Sequence, residues 1–198
     1  MTLQRAALLA GIGAILRGLY YCVTNLVPYW SATGSLPGAR ALLLISALIG
    51  PLVWAAYFGS IWMRRSYRVP ALVACIVTLG ELFLVTAPQY RTFSMFSPDT
   101  MMFLFGAALP GVCWAVLLLR QAYGAKLPRL ALFYLVFLSV LQAAYIVYQI
   151  ASTAKQVRAF GAVQPWALIA VPAIWLFYWM TQALFLRTLL RTPVPDPR

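Results

Sequence analysis

Six long apolar runs decide what this chain can become. They cover roughly residues 6–29, 41–62, 69–87, 101–119, 130–150 and 165–186. A bilayer's hydrocarbon core is ~30 Å thick and takes about 20 helical residues to cross. Each run therefore reads as one membrane span. Each must be helical, because unpaired backbone N–H and C=O groups are too costly in lipid. Composition agrees: 64% of the 198 residues are hydrophobic and 9% are charged, with a mean hydropathy of +0.86. A soluble domain has about a quarter of its residues charged. The expected fold is all-α: a single polytopic transmembrane bundle over 1–191, followed by a disordered Pro-rich tail, 192–198.

Proline marks several helix starts. Pro70, Pro98, Pro128 and Pro165 each open a run, and a helix's first turn tolerates proline because the missing N–H has no partner there anyway. Ser97-Pro98-Asp99 adds a capping serine and an acid in the first turn. The second helix follows Pro37-Gly38, read as a turn. The opening run is too long for a signal-peptide core, so it is expected to remain as the first span.

Lysine and arginine give the orientation. With the N-terminus inside, the inner loops hold Arg5, Arg64, Arg65, Arg68, Arg120, Lys126, Arg129, Arg187, Arg191 and Arg198. The outer loops hold Arg40, Arg91, Lys155 and Arg158, and Arg17 lies within a span. Ten against four favours both termini in the cytoplasm. Trp30, Trp62 and Trp166 fall near span ends, where interfacial aromatics belong. The net charge of +12 is this topological bias, which also favours anionic lipid head groups; it does not indicate nucleic acid.

The chain carries a hint of internal repetition. Pro51, Trp54 and Tyr57 read P-x-x-W-x-x-Y in the second span, as do Pro172, Trp175 and Tyr178 in the sixth. Pro110 and Trp114 give a looser version in the fourth, with prolines 59 and 62 residues apart. One polar residue sits mid-span in each odd run: Arg17, Glu81 and Gln142. Three parallel helical hairpins would produce this pattern; so would chance in a chain rich in proline and tryptophan. The mid-span prolines are expected kinks, since each frees a carbonyl.

Arg17 and Glu81 are the ionisable residues well inside spans. They lie 11 and 12 residues in from the same face, so both sit about 17 Å deep at ~1.5 Å per residue. Unpaired, each would cost about 2.5–3.5 kcal/mol or more. A bidentate Arg–carboxylate contact joining the first and third helices would satisfy both. The alternative is that one or both face a watered cavity and bind an ion, a proton or an anionic group. Arg17 heads a polar stripe with Tyr20, Tyr21, Thr24 and Asn25, all on one helical face. Ala10, Ala14 and Gly18 form a small-residue row suited to close packing. Gln142, Tyr145 and Gln149 line the fifth span, and Trp175, Tyr178, Trp179 and Gln182 the sixth. These faces are expected to point inward.

Enzymatic chemistry has little to work with. Histidine is absent, and the only acids are Glu81, Asp99 and Asp196. Cys22, Cys75 and Cys113 are scattered, with no metal-ligand spacing. No cofactor and no metal are expected. The closing segment, Ala173-Ile174-Trp175-Leu176-Phe177-Tyr178-Trp179 with Arg187 and Arg191 after it, resembles an uncharacterised family of small bacterial multi-pass membrane proteins, domain of unknown function 2569. Gly11-Ile12-Gly13 is similar to that family's opening but departs from the Gly-Trp that should follow. The resemblance covers about twenty residues and implies only a bacterial inner-membrane location. The expected function is a non-enzymatic accessory or partner-binding membrane subunit, engaging a membrane-protein partner or its own copies. The alternative is a small-solute, ion or lipid carrier or channel using Arg17 and Glu81.

Overall fold

A computed structural model describes residues 1–21, 37–63, 68–86, 104–124, 127–160 and 165–191. Among them the chain is all-helical. We number the helices α1 (Leu3–Tyr21), α2 (Pro37–Trp62), α3 (Arg68–Thr86), α4 (Leu109–Ala122), α5 (Arg129–Phe160) and α6 (Pro165–Arg191). A π-helical turn, Leu104–Ala108, precedes α4. Among the described residues two helices are long and apolar enough to cross a membrane, α5 over Arg129–Lys155 and α6 over Ile169–Arg191. Leu48–Trp62, Arg68–Gly80 and Leu109–Ala122 are shorter apolar stretches.

The helices start and stop for local reasons. Pro165 opens α6, and the Pro128 carbonyl accepts from the Leu132 N–H at the start of α5. Pro37 is the first residue of α2, so it starts that helix where a turn was expected; its fixed φ already suits a first helical position. Helix α4 ends at Ala122, and Gly124, just past the cap residue Tyr123, takes a φ of 67° that glycine adopts without strain. Both α5 and α6 outrun their apolar segments, to Phe160 and Arg191. Nothing in 151–160 or 187–191 breaks a helix, and Pro193 stands just beyond the second. The start signal at Ser97-Pro98-Asp99 and the 192–198 tail lie outside the described residues.

Consecutive helices pack side by side, and α1 closes the circuit against α6. Small residues set the α1 contacts. A Cβ on Gly11 would touch Ala55 and Phe58, and one on Gly18 would meet Pro51 at 3.4 Å. As α1 ascends from 11 to 18, its partner on α2 descends from 58 to 51, so the two are antiparallel. Helix α6 is antiparallel to α1 by the same test: Gly13 faces Tyr178 and Thr181, and Tyr20 faces Trp175. Ala10, Ala14 and Gly18 are all buried, as the small-residue row requires.

The central core is aromatic and comes from the even helices. Phe58, Trp114 and Phe185 are in mutual ring contact at 4.7–6.3 Å between centroids. Around them lie Ala6, Ala7 and Ala10 of α1, Ala71 and Ala74 of α3, and Leu132 and Leu135 of α5. Apart from Trp114, near the middle of α4, these come from the first halves of the odd helices and the second halves of the even ones, and Leu117, Leu118 and Ala122 extend the core along the second half of α4. The core therefore occupies one end of the bundle.

Candidate functional site: an arginine held against aromatic rings

One helical turn beyond Gly13, Arg17 reaches across to α6. Its Nη1 donates a 3.0 Å hydrogen bond to the Tyr178 hydroxyl. Its guanidinium carbon lies 5.0 Å from the Trp175 ring centroid, 4.9 Å from Tyr178 and 5.8 Å from Trp179. Tyr20 meets Trp175 edge to face at 5.6 Å. The rings gather here because positions 175, 178 and 179 share a helical face. Gly13 lets that face come close: its missing Cβ would lie 3.2 Å from the Tyr178 Cα.

Magnitudes show why this arrangement holds a half-buried charge. A guanidinium over a desolvated aromatic face gains about 2 kcal/mol. A hydrogen bond to a charged group adds about 1.5–3 kcal/mol. Together they match the penalty of about 2.5–3.5 kcal/mol for arginine deep in a bilayer. A carboxylate partner is not required for Arg17 to be tolerated. Arg5, Arg68, Arg120, Arg129, Lys155, Arg187 and Arg191, by contrast, are exposed.

Arg17's described contacts thus go to α6, where the sequence pointed to Glu81. Glu81 lies on α3, which does not neighbour α1 in the circuit of helices; its side chain is outside the described residues. So are Asn25 and the side chain of Tyr21. Trp175 and Tyr178 are brought to Arg17. Gln182, one turn further along α6, is 1% exposed, and its Oε1 and Nε2 find no partner.

The inward expectation for α5 needs correction. Gln142 is half-buried, but Tyr145 is 54% exposed and Gln149 is exposed too. The buried stripe is Leu132, Leu135, Leu138, Ser139 and Ile146; Tyr145 shares a face with Leu138 but lies beyond Ser139, where Ile146 is the one described α5 residue that is buried. Gln149 falls beyond Ile146, where none of the described α5 residues is buried.

Sequence reasoning misses a second polar centre. The buried Tyr57 hydroxyl donates to Oε1 of the buried Gln121. Hydropathy ends the fourth run at about 119, which leaves Gln121 in a loop. A signal is present all the same, because 114, 117, 118 and 121 continue one helical face. Smaller hydroxyls are satisfied locally, with Thr78 and Ser139 donating to carbonyls four residues back.

The prolines differ in setting. Pro51 and Pro172 lie inside continuous helices. Pro110 sits in the first turn of α4, just after the π-helical turn, so it begins a segment where a mid-helix kink was expected. The Tyr134 hydroxyl of α5 takes up the Phe105 carbonyl of that π turn. The repeated motif does not occupy equivalent places. Phe58 meets Phe185, an offset of 127 residues, whereas the motif repeats at 121. The two copies are therefore not level along the axis.

Cys75 and Cys113 are half-buried free thiols, and Cys22 is outside the described residues. Comparison with known protein families, with curated proteins and with solved structures finds no match.

Proposed function

We propose that this chain is a multi-pass integral membrane protein. In this reading six helices cross the inner membrane with both termini cytoplasmic, and the protein serves without catalysis as an accessory, partner-binding subunit. One observation carries the membrane reading: on α1 and α3 burial is inverted. On α1 the buried residues are Ala6, Ala7, Ala10 and Ala14 with Gly11, Gly13 and Gly18, while Leu8, Ile12, Ile15 and Leu19 are exposed. On α3 Ala71 and Ala74 are buried, and Val69, Leu72, Ile76 and Leu79 are exposed. Water would drive the large side chains inward. Lipid does not, and there small residues win the interfaces because they let backbones approach.

Charge placement supports the sidedness. Exposed Arg5, Arg68, Arg120, Arg129, Arg187 and Arg191 lie at the end of the bundle that holds the aromatic core, as inner-face arginines should. The test uses a background with the native cysteines replaced by serine. A membrane-impermeant maleimide should label Thr33→Cys in intact cells and Tyr123→Cys only after permeabilisation. Equal labelling of both overturns the topology. The accessory role is tested by recovery from native membranes; a chain that always purifies alone and monodisperse counts against it.

The carrier reading keeps one specific support, the polar column of Arg17, Tyr178 and Gln182 on the α1–α6 seam. Its test is flux in proteoliposomes, which should fall in Arg17→Ala and in Glu81→Ala; flux unchanged in both removes it.

A further inference from the structure

The contacts along the α1–α6 seam fix its register. Gly13 faces Tyr178 and Thr181, Arg17 faces Tyr178 and Tyr20 faces Trp175. These pairs sum to between 191 and 195, so α1 residue n lies level with about α6 residue 193 − n. Arg5 then falls level with about Thr188, between Arg187 and Arg191. At ~1.5 Å per residue the three Cα atoms lie within about one helical turn in height. All three side chains are exposed. The described residues of both helices carry no acid.

Each arginine also ends an exposed apolar stripe. On α1 the stripe is Arg5, Leu8, Ile12, Ile15 and Leu19; on α6 it is Met180, Leu184, Arg187 and Arg191. Both stripes have helical spacing, and both run from a cationic end into a surface that suits an acyl chain. Three guanidiniums above two apolar tracks on neighbouring helices match an amphipathic anion with its charge at one end.

We propose that the basic end of the α1–α6 seam is a binding site for one anionic phospholipid whose head group carries two phosphates. Arg5 on one helix and Arg187 with Arg191 on the other hold the two phosphates, and the acyl chains follow the exposed stripes. Guanidinium groups suit this because their forked donors match phosphate oxygens. Basic sites between helices on the cytoplasmic side favour such head groups. The proposal rests on the membrane reading above.

The experiment uses the full chain, delipidated in neutral detergent. Lipid binding is measured by native mass spectrometry with cardiolipin, phosphatidylglycerol, phosphatidylcholine and inorganic phosphate. Cardiolipin should bind with defined stoichiometry and phosphatidylcholine should not. Arg5→Gln with Arg187→Gln and Arg191→Gln should weaken cardiolipin about a hundredfold. The matched set Arg68→Gln, Arg120→Gln and Arg129→Gln removes the same charge elsewhere at that end and should keep most of the binding. Equal loss in both sets, or binding by phosphate alone, overturns the site. A chain that stays folded and monomeric in plain buffer overturns the membrane reading instead, which keeps the two failures apart. If the triple variant is unstable, Arg187→Lys with Arg191→Lys keeps the charge, and its weaker cardiolipin binding at an unchanged melting temperature supports the bidentate contact.

Discussion

The same seven-residue pattern, P-x-x-W-x-x-Y, ends in two different environments. On α2, Trp54 packs on Trp114 at 4.7 Å and Tyr57 bonds Gln121, inside the aromatic core. On α6, Trp175 and Tyr178 face a guanidinium across the α1 seam. In both copies the tryptophan is half-buried and the tyrosine buried; the first copy binds neutral groups and the second binds a charge. Local sequence sets which face carries the rings. The neighbouring helix decides what those rings do.

The largest expected effect lies in the aromatic core. Phe185 is fully buried and touches both Phe58 and Trp114. Phe185→Ala should cost about 3 kcal/mol, the low end for a buried aromatic, since in the proposed membrane setting lipid supplies less of the transfer term than water does. Unfolding in mixed micelles measures it. Trp175→Ala, at a half-buried ring on the seam, should cost less. If the two variants fall equally, the contrast between core and seam is wrong.

Arg17 sharpens the comparison next. Arg17→Ala removes the hydrogen bond and the ring contacts together, but it also removes the desolvation cost. Its net effect should be about 1–2 kcal/mol, less than the gross interaction, because the penalty of about 2.5–3.5 kcal/mol disappears too. Tyr178→Phe isolates the hydroxyl and should cost about 1 kcal/mol, with the rings still in place. A larger loss in Tyr178→Phe than in Arg17→Ala would mean that the hydroxyl has another duty.

The helices themselves are legible in the apolar runs, because hydrophobic length alone requires them. Their ends are less so. Helices α5 and α6 continue past the apolar edge, where only a breaker stops a helix, and Pro37 reads as a turn although it starts α2. Arg17 stands out in the sequence as a charge inside an apolar run. Matching depths among charges points it to Glu81, whose side chain lies outside the described residues, and the same procedure is blind to ring faces. The spacing of Trp175, Tyr178 and Trp179 puts them on one face, but nothing in a single sequence says that α1 and α6 are neighbours. Gln121 is lost because hydropathy ends its run two residues early.

Glycine offers a sharper contrast of smaller size. A Cβ on Gly111 would lie 2.9 Å from Thr78 Cγ2, whose hydroxyl is tied to the Ala74 carbonyl. Thr78 cannot turn away without breaking that bond, so Gly111→Ala should destabilise by about 1–2 kcal/mol through overpacking of the α3–α4 contact. Gly59 has nothing within 4 Å of its would-be Cβ. Gly59→Ala should therefore stabilise, by up to about 1 kcal/mol of helix propensity. Opposite signs at two helical glycines would show that close approach, and not composition, places Gly111.

The smallest predicted change has the most to say about function. Gln182 is buried with both amide atoms unpaired, one turn from the Tyr178 that holds Arg17. Leaving such a group unsatisfied costs about 1–3 kcal/mol, and an apolar residue of similar shape removes that cost. Gln182→Met should then raise stability by about 1 kcal/mol, opposite in sign to every core substitution above. A stability gain accompanied by loss of flux or partner recovery would mark Gln182 as a group held ready for something outside the folded chain. A gain with no functional change would leave it as a tolerated inefficiency of packing, and the Arg17 seam as architecture alone.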